Sequence, residues 1–230
     1  MNKKIILSTL LCSCLAFGGD VFDLENAFFK KASFSTIVDF KVFAPQGEIP
    51  LKIDLTSKIA AIEHLKEGGY KTTTIIDALT KTPDGHLSKS QTTLILSSDK
   101  FFRTTELSEN TVIDGQKKEL TCKPDVLTKK EDNLQKEIGY EFEPETLICD
   151  DGTARVYSAK VVDGENNTAN IVVSSSFQMK QGNVLIDLKD KSVSNIDKNG
   201  HINYIESNTL AFIKDKKIFS MSFKVDKIDQ

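Results

Sequence analysis

Hydrophobic and polar residues alternate with a period of two along most of the chain beyond residue 33. Successive side chains of an extended strand point to opposite faces of a sheet, so the alternation predicts strands with one apolar and one polar face. The segment 217–227 shows the cleanest pattern, with serine and lysine between its apolar positions. Its apolar side chains share one predicted face, which is the candidate ligand face: Phe219, Met221, Phe223 and Val225.

Turn-forming dipeptides separate the alternating segments. An Asp-Gly or Asn-Gly pair favours a tight hairpin turn, because both residues tolerate a positive φ angle. Five such pairs lie between β-branched or aromatic runs: Asp84-Gly85, Asp114-Gly115, Asp151-Gly152, Asp163-Gly164 and Asn199-Gly200. They predict a meander of antiparallel strands at 38–42, 51–55, 71–79, 90–97, 100–107, 137–143, 153–162, 169–179, 183–190, 201–206, 209–214 and 217–227.

Two segments instead carry apolar residues at spacings of three and four. From Val21 to Ala32 this spacing predicts a first helix, which ends near Ser33. The segment 57–67 predicts a second helix, with Ser57 as its N-cap and a glycine pair directly after it as the stop signal.

Together these patterns predict a mainly β protein. We expect a curved antiparallel sheet or incomplete barrel, built as a meander, with one or two short helices packed on it. Residues 19–230 form a single β-rich domain of a size that can bury a core. The charged stretch 128–137 is expected to be a mobile surface excursion of this domain.

The N-terminus predicts export from the cytoplasm. Lys3 and Lys4 precede an apolar run at 5–18 that is too short to cross a bilayer core of ~30 Å. We therefore expect a signal peptide at 1–18, a periplasmic location, and no transmembrane segment in the mature chain. The alternative is that Leu11-Cys12-Ser13-Cys14 is a lipoprotein box, in which case Cys14 would be lipidated and the protein would be an outer-membrane lipoprotein.

Cleavage of the signal peptide would leave Cys122 and Cys149 as the cysteines of the mature chain. Two cysteines in an oxidising compartment usually pair, so a disulfide is expected. Closing a loop of about 28 residues would remove roughly 3.5 kcal/mol of unfolded-chain entropy.

The charge of the chain disfavours nucleic acid as a partner. The net charge is −3, and loss of Lys3 and Lys4 makes the mature chain more negative still. Arg103 and Arg155 are the two arginines among 30 basic residues, so the sequence contains no arginine cluster for phosphate capture.

The segment 195–206 partly matches a twelve-residue calcium loop. Its oxygen-bearing candidates are Asp197, Asn199 and Glu206, but the first position is asparagine instead of aspartate and no helix is predicted before it. The preferred interpretation is a hairpin turn with Gly200 in a left-handed conformation. We predict no cofactor and no resident metal.

No pattern in the sequence carries a reaction. A Gly-x-Ser-x-Gly elbow is absent, and two of the three histidines, His86 and His201, directly follow a turn glycine. His64 is expected to be solvated, and Asp150-Asp151 precedes a glycine in an ordinary turn pattern. We therefore expect a non-enzymatic protein, and a hydrolase that uses carboxylates is the third hypothesis.

Two stretches resemble periplasmic lipoprotein carriers of the LolA/LolB type. The segment 23–40, with its Ser33-Phe34 pair, is similar to the short helix and first strand of those proteins. The segment 94–103, followed by Asp114-Gly115, is similar to their order of strand, arginine, strand and Asp-Gly turn. The resemblance implies a ligand site on the apolar concave face of the sheet, although this chain lacks tryptophan and carries an additional charged excursion.

Two functions follow as expectations. The first is an exported, non-enzymatic protein that binds an apolar or amphiphilic ligand, such as an acyl chain, on the concave face of its sheet. The alternative is an envelope structural or protein-interaction factor whose sheet edges or loop 123–148 contact a protein partner.

Overall fold

The computed structural model describes residues 20–82, 85–181 and 184–230. The predicted signal peptide at 1–18, the candidate lipidation site Cys14 and the turn residue Asp84 lie outside the described residues. Signal cleavage and lipidation therefore stay predictions.

The described chain is almost entirely antiparallel β-structure, which confirms the predicted fold class. One short helix, α1, lies near its start. The elements in chain order are β1 Val21–Asp23, α1 Leu24–Phe29, β2 Ser33–Ala44, β3 Gly47–His64, β4 Tyr70–Lys81, β5 Leu87–Ser98, β6 Thr104–Ile113, β7 Gln116–Pro124, β8 Gln135–Glu137, β9 Glu145–Cys149, β10 Ala154–Asp163, β11 Ala169–Gln181, β12 Val184–Ile196, β13 Ile202–Ile213 and β14 Lys216–Val225.

Twelve strands form a closed barrel in which nearly every strand pairs with its neighbour in sequence. The barrel closes where β14 pairs with β2, which joins the two ends of the meander. A second non-sequential seam joins β7 to β9, because β8 leaves the barrel and pairs with β1 in a separate two-stranded sheet. The predicted curved sheet is thus a complete barrel, and closure satisfies the edges that an open sheet would expose.

The second predicted helix is wrong, because β3 runs through residues 57–64. A register shift between Ile59 and Ala61 puts one extra residue into β3 relative to β4. Ile59 is paired with Thr74 and Ile62 with Thr72, and both threonines line the barrel interior. The bulge thus places apolar residues three apart on one face of a strand, which is the spacing that also signals a helix.

The first predicted helix is much shorter than expected. The helix α1 covers Leu24–Phe29, while Val21–Asp23 forms β1. Asp23 caps α1, since its Oδ1 accepts a hydrogen bond from the Asn26 backbone N–H at 3.0 Å. None of the helices in the described part of the chain is long and apolar enough to cross a membrane.

Several strands of the structure begin or end at residues other than the predicted ones. The segments 201–206 and 209–214 belong to one strand, β13, and the strand predicted at 183–190 continues to Ile196. The strand predicted at 100–107 begins only at Thr104, because a turn occupies the residues before it. The strand predicted at 137–143 is absent apart from its first residue, where β8 ends, and an isolated bridge at Glu141.

A cap made of β1, α1 and β8 covers one end of the barrel. Phe22, Leu24 and Leu134 are buried in one cluster with residues of β10, β11 and β12. Leu134 and Lys136 are both buried, so the stretch 128–137 is not wholly the surface excursion that was predicted. Its mobility stays a prediction.

The hairpin opposite the cap between β6 and β7 confirms the predicted turn. Asp114 and Gly115 both have positive φ, at 48° and 86°. The β13–β14 hairpin uses the same geometry without glycine, since Lys214 and Asp215 have φ values of 49° and 64°. The sequence indicates this turn only as the break between the strands predicted at 209–214 and 217–227, since no Asp-Gly or Asn-Gly pair marks it.

Candidate functional site

The barrel interior contains an apolar cavity of about 520 Å³ directly beneath the cap. This volume lies within the ~300–1,000 Å³ that ligand sites commonly occupy. The cap and the loop around β8 supply part of the lining, and the inner faces of β3–β6 and β9–β11 supply the rest. The apolar residues of the lining include Phe29, Leu94, Leu96, Phe102, Leu107, Leu147 and Val173.

The strand register shows that the cavity lies inside the barrel. Leu96 is paired with Thr72 on β4 and with Leu107 on β6, and directly opposite residues point to the same face. All three line the cavity. Leu96 is nevertheless 36% exposed, whereas Leu107 is 9% exposed. A large aliphatic side chain that points inward and stays accessible is a sign of unfilled space.

An aromatic cluster connects the cap to the cavity wall. The Phe29 ring stacks on Tyr70 at a centroid distance of 4.1 Å, and Phe102 lies 6.1 Å from Phe29. The Tyr70 hydroxyl donates a hydrogen bond to the Glu25 carboxylate. That hydrogen bond, together with burial and the charge of Glu25, raises the pKa of Tyr70 to about 12. The cluster therefore stays neutral and fixes α1 against the wall at neutral pH.

A strained turn positions Phe102 in the cavity lining. Phe102 has φ of 59°, a left-handed conformation that costs a non-glycine residue of order 1–3 kcal/mol. Asp99 holds the turn, because its carboxylate accepts hydrogen bonds from the Phe101 N–H at 2.8 Å and from Arg103 Nη2 at 2.6 Å. Burial raises the pKa of Asp99, but these hydrogen bonds and the Arg103 charge outweigh it and lower the pKa overall.

The exposed end of the cavity is amphiphilic. Phe28, Lys129 and Glu143 line it and are also exposed to solvent. The Lys129 backbone N–H donates to the Glu143 carboxylate, which joins the two sides of the loop. These residues mark the side from which a ligand would enter.

A buried charged group lies behind the exposed end, within the cap. The Glu131 carboxylate accepts hydrogen bonds from Lys136 Nζ and from the Tyr140 hydroxyl, each at 2.5 Å. Burial raises the pKa of Glu131, but these two hydrogen bonds and the charge of Lys136 outweigh it and lower the pKa overall. Burial and the Glu131 carboxylate raise the pKa of Tyr140 to about 12. The Glu131 carboxylate is therefore charged at neutral pH, and each of its oxygens accepts a hydrogen bond.

An ion pair lies inside the barrel near the cavity, although neither of its residues lines the cavity. Arg155 Nη2 donates to Glu109 Oε2 at 2.7 Å, and the Arg155 side chain is 12% exposed. Burial lowers the pKa of Arg155, but the hydrogen bond and charge of Glu109 outweigh it and raise the pKa overall. Tyr157 and Glu145 line the cavity beside this pair. Burial raises the pKa of the Tyr157 hydroxyl.

The four residues predicted as a ligand face lie in another part of the barrel. β14 pairs Phe219 with Ala211, which is fully buried in the cluster of Ile186 and Leu188. Phe219 also packs against Phe40 of β2 at a ring distance of 5.2 Å, and Phe223 packs against Phe34 at 6.1 Å. None of Phe219, Met221, Phe223 and Val225 lines the described cavity.

Sequence reasoning missed the residues that do line the cavity. The sequence of β5 did not single out an interior face, because Leu94, Ile95 and Leu96 form a continuous apolar run, whereas serines separate the apolar residues of β14 at 219–223. What the pattern lacks is any mark that distinguishes a packed position from one that borders empty space.

The calcium candidates do not meet at one site. Asp197 Oδ1 accepts hydrogen bonds from the Asn199 and His201 backbone N–H groups, at 2.8 and 2.9 Å, as expected for the hairpin turn. Glu206 lies within β13, paired with Lys224. Among the described residues, no group of three or more His, Cys, Asp or Glu could hold a metal ion.

The hairpin at 197–201 instead supports the cap. Gly200 has φ of 78°, and a Cβ there would lie 2.3 Å from the Asp23 carbonyl oxygen. The Asp23 N–H donates to the Lys198 carbonyl at 3.2 Å, and Asn26 Nδ2 donates to the Asn199 carbonyl at 2.5 Å. Only glycine permits this approach of the hairpin to the start of α1.

The predicted disulfide is present between Cys122 and Cys149. The two cysteines are directly paired across the β7–β9 seam and pack with Leu107, Leu120 and Leu147. The bond therefore closes the barrel where the meander is interrupted, next to the inner end of the cavity.

The remaining candidate catalytic groups lie on separate turns or strand ends. Asp151 Oδ1 accepts hydrogen bonds from the Thr153 N–H at 3.0 Å and its hydroxyl at 2.6 Å, as in an Asx turn. His64 ends β3 and contacts the Tyr70 ring, while the His86 carbonyl accepts a hydrogen bond from Thr82. His201 lies beside Asp197, 3.4 Å from its carboxylate.

Comparison with known proteins adds no relative to this description: no family model, no curated protein and no solved structure matches the chain.

Proposed function

We propose that this protein is an exported, non-enzymatic carrier that binds an apolar or amphiphilic ligand, such as an acyl chain, inside its barrel. The observation that carries the proposal is the apolar cavity of about 520 Å³ beneath the cap. Leaving such a surface without a ligand is costly, because each Å² of apolar surface removed from water contributes about 25 cal/mol.

Two further observations support a carrier. The cavity has an exposed end, at Phe28, Lys129 and Glu143, through which a chain-like ligand can pass. The outer face of the barrel wall is polar and charged, as Lys52 and Asp54 of β3 show. Their neighbours Ile53 and Leu55 are less exposed. The resemblance to lipoprotein carriers of the LolA/LolB type is part of the same proposal, and so is the predicted signal peptide.

The experiment has two parts. The first looks for a ligand in the purified protein, and the second tests binding in a variant whose cavity has a smaller volume. Organic extraction of protein purified from cells, followed by mass spectrometry, should detect a bound lipid. Ala159→Phe places a ring in the cavity and should weaken binding of the neutral fluorophore N-phenyl-1-naphthylamine by about tenfold or more, because it competes for the same volume.

Val156→Phe is the matched control, since Val156 lies on the same strand at an exposed position. It should bind the fluorophore as the unmodified protein does. A protein that carries no lipid and binds no fluorophore would contradict the proposal, and so would equal weakening by the two variants.

The second candidate function is an envelope interaction factor. It is favoured by one observation, the exposure of Val126 and Leu127 at 74% and 50% in the loop after β7. If a protein partner binds there, the double variant Val126→Ser, Leu127→Ser should abolish its crosslinking in the periplasm while leaving fluorophore binding unchanged. Fluorophore binding lost together with crosslinking would instead assign these residues to the ligand site.

A further inference from the structure

Five hairpins of the meander meet at the end of the barrel opposite the cap. Alternate turns of an up-and-down meander lie at the same end, so the hairpins β2–β3, β4–β5, β6–β7, β11–β12 and β13–β14 all turn there. In the described part of the chain, β1, α1 and β8 are the elements outside the barrel, and they belong to the cap. We therefore call the opposite end the open end.

Apolar side chains of the barrel interior reach the surface at the open end. Ile113 lies an even number of residues beyond Leu107 on β6, and Val184 lies two residues before the buried Ile186 on β12. Even spacing along a strand keeps side chains on one face, so Ile113 and Val184 point to the interior. Both are nevertheless exposed, because no further layer of side chains lies beyond them at this end.

The exposed apolar surface extends around the rim of the open end. Leu185 directly follows Val184 and therefore points to the outer face, and Leu87 is directly opposite the exposed Lys81. The large apolar side chains of the open end that are between 40% and 52% exposed are Ile49, Leu87, Ile113, Val184 and Leu185. Single exposed apolar residues are common, but a group of them among charged residues marks a contact surface.

Neighbouring hairpins are joined at their tips. The Asp114 carboxylate of the β6–β7 turn accepts hydrogen bonds from the Ser88 hydroxyl at 2.8 Å and from the Lys89 N–H at 3.0 Å, both on β5. On the other side, Lys217 Nζ of β14 lies 4.3 Å from the ring centroid of Phe43 on β2. These contacts hold the tips in place relative to one another, so the rim is one surface.

The open end is positively charged, although the chain as a whole has a net charge of −3. The segments that form its hairpins contain eight lysines and four acidic residues, at 42–49, 79–89, 111–118, 179–186 and 211–218. The loop at 125–144, beside the cap, instead contains six acidic residues and three lysines. An anionic surface is therefore attracted to the open end and repelled by the loop beside the cap.

We propose that the open end docks on the surface of an anionic lipid bilayer. Its lysines would lie among the phosphates of the headgroups, and the apolar side chains between them would enter the boundary with the acyl chains. A second copy of this chain is disfavoured at the same surface, because two open ends in contact would bring like charges together. The inference goes beyond the proposed function, since docking does not require a ligand in the cavity.

Vesicle sedimentation tests the docking. The protein carries Cys14→Ser, so that a lipid anchor cannot contribute, and is mixed with vesicles of phosphatidylcholine alone or with about 30% phosphatidylglycerol. In 0.1 M NaCl we expect about tenfold stronger binding to the anionic vesicles. In 1 M NaCl most of that difference should disappear, because the Debye length falls from ~10 Å to ~3 Å.

A first pair of variants tests the apolar contribution. Leu87→Ser combined with Ile113→Ser should weaken binding to the anionic vesicles about tenfold, because the affinity of an interfacial contact increases with the apolar area it buries. Val126→Ser combined with Leu127→Ser is the matched control, since both residues are exposed and apolar but lie in the acidic loop beside the cap. It should leave vesicle binding unchanged.

A second pair of variants tests the charge. Lys118→Gln combined with Lys216→Gln removes two exposed lysines of the open end and should weaken binding to the anionic vesicles about tenfold. Lys31→Gln combined with Lys66→Gln is the matched control, because these exposed lysines lie at the cap end. Its effect should be less than twofold. Circular dichroism of each variant checks that the barrel is folded.

The outcomes decide between a bilayer and a protein as the occupant. Equal binding to the two kinds of vesicle, or equal effects of the open-end variants and their controls, would overturn the inference. If the anionic vesicles do not bind and the variant at Leu87 and Ile113 instead loses a crosslink to an acidic protein, the open end is a protein-docking surface and the inference is also overturned. Binding of N-phenyl-1-naphthylamine should be the same in all four double variants, so failure of the docking leaves the carrier proposal standing.

Discussion

The two halves of the barrel interior are filled differently. On the side of β12–β14 and β2, Leu188 and Ala211 are buried, and the Phe40 and Phe219 rings pack across the β14–β2 seam. On the side of β4–β6 and β9–β11, leucines of comparable size line a cavity. Both halves are walls of antiparallel strands with an apolar interior face, so the difference shows that the pattern of apolar residues specifies which face is interior and not whether that interior is packed.

The Arg155–Glu109 pair lies at the boundary of the two halves. The Arg155 guanidinium lies 5.3 Å from the ring centroid of Phe177, which packs against the Leu188 cluster. Its ion-pair partner Glu109 is opposite Leu94 on the cavity side.

The largest expected effect contrasts equivalent leucines of the two halves. Leu188→Ala removes a buried side chain and should lower the free energy of unfolding by about 2–5 kcal/mol. Leu94 borders the cavity, so Leu94→Ala loses fewer packing contacts. It should lower the free energy of unfolding by about 1–2 kcal/mol. Urea denaturation followed by circular dichroism measures both. Equal losses would mean that the two halves are packed alike.

The second prediction concerns the seam on the cavity side, which depends on the disulfide. Replacing Cys122 and Cys149 together by alanine should lower the free energy of unfolding by about 2–4 kcal/mol, because the unfolded chain regains the entropy of an open loop. Thermal unfolding with and without a reducing agent gives the same comparison in the unmodified protein. If the β7–β9 seam is stable without the disulfide, neither the double substitution nor the reducing agent will change the stability of the protein.

The smallest effect concerns the cap over the cavity and its dependence on pH. The pKa of Glu131 is lowered in the folded protein, so its interactions with Lys136 and Tyr140 stabilise the fold at neutral pH. That contribution is present above the ordinary pKa of a glutamate, about 4.3, and is lost as the pH falls through the lower folded pKa.

Glu131→Gln should therefore cost about 1–3 kcal/mol at pH 7 and much less at pH 3. Urea denaturation at the two pH values measures the difference. Glu137→Gln is the control, because Glu137 is exposed within β8 and should have little effect at either pH. A cost for Glu131→Gln that is the same at pH 7 and pH 3 would contradict the role given to the ionised carboxylate.

Local patterns predicted the strands better than the helices. The segments predicted at 71–79, 90–97 and 169–179 are strands in the structure, because their β-branched residues favour an extended backbone. The segment 57–67 failed because a bulge in β3 imitates helical spacing. A local pattern cannot distinguish these cases, since the bulge is defined only by the partner strand.

The sequence predicted an apolar interior face, but it did not predict the position of the cavity. An apolar interior face was expected, and the residues named for it at 219–225 do lie on strand β14 of the barrel wall. The cavity lies elsewhere because the cap, through Phe29 and Leu134, covers one part of the interior and leaves space beneath it. Arg155 carried a signal of its own as one of two arginines in an alternating strand, but nothing in the sequence placed Glu109 beside it.

The sequence by itself determined that the described chain is an antiparallel meander with an apolar interior face, that Cys122 and Cys149 pair, and that Asp114-Gly115 forms a tight turn. These properties depend on neighbouring residues and on side-chain chemistry. Only the tertiary structure decided that the sheet closes, that the segment around β8 joins the cap, and that space remains on one side of the interior. Those properties depend on which distant strands meet and on how much volume their side chains fill, and no local pattern contains either quantity.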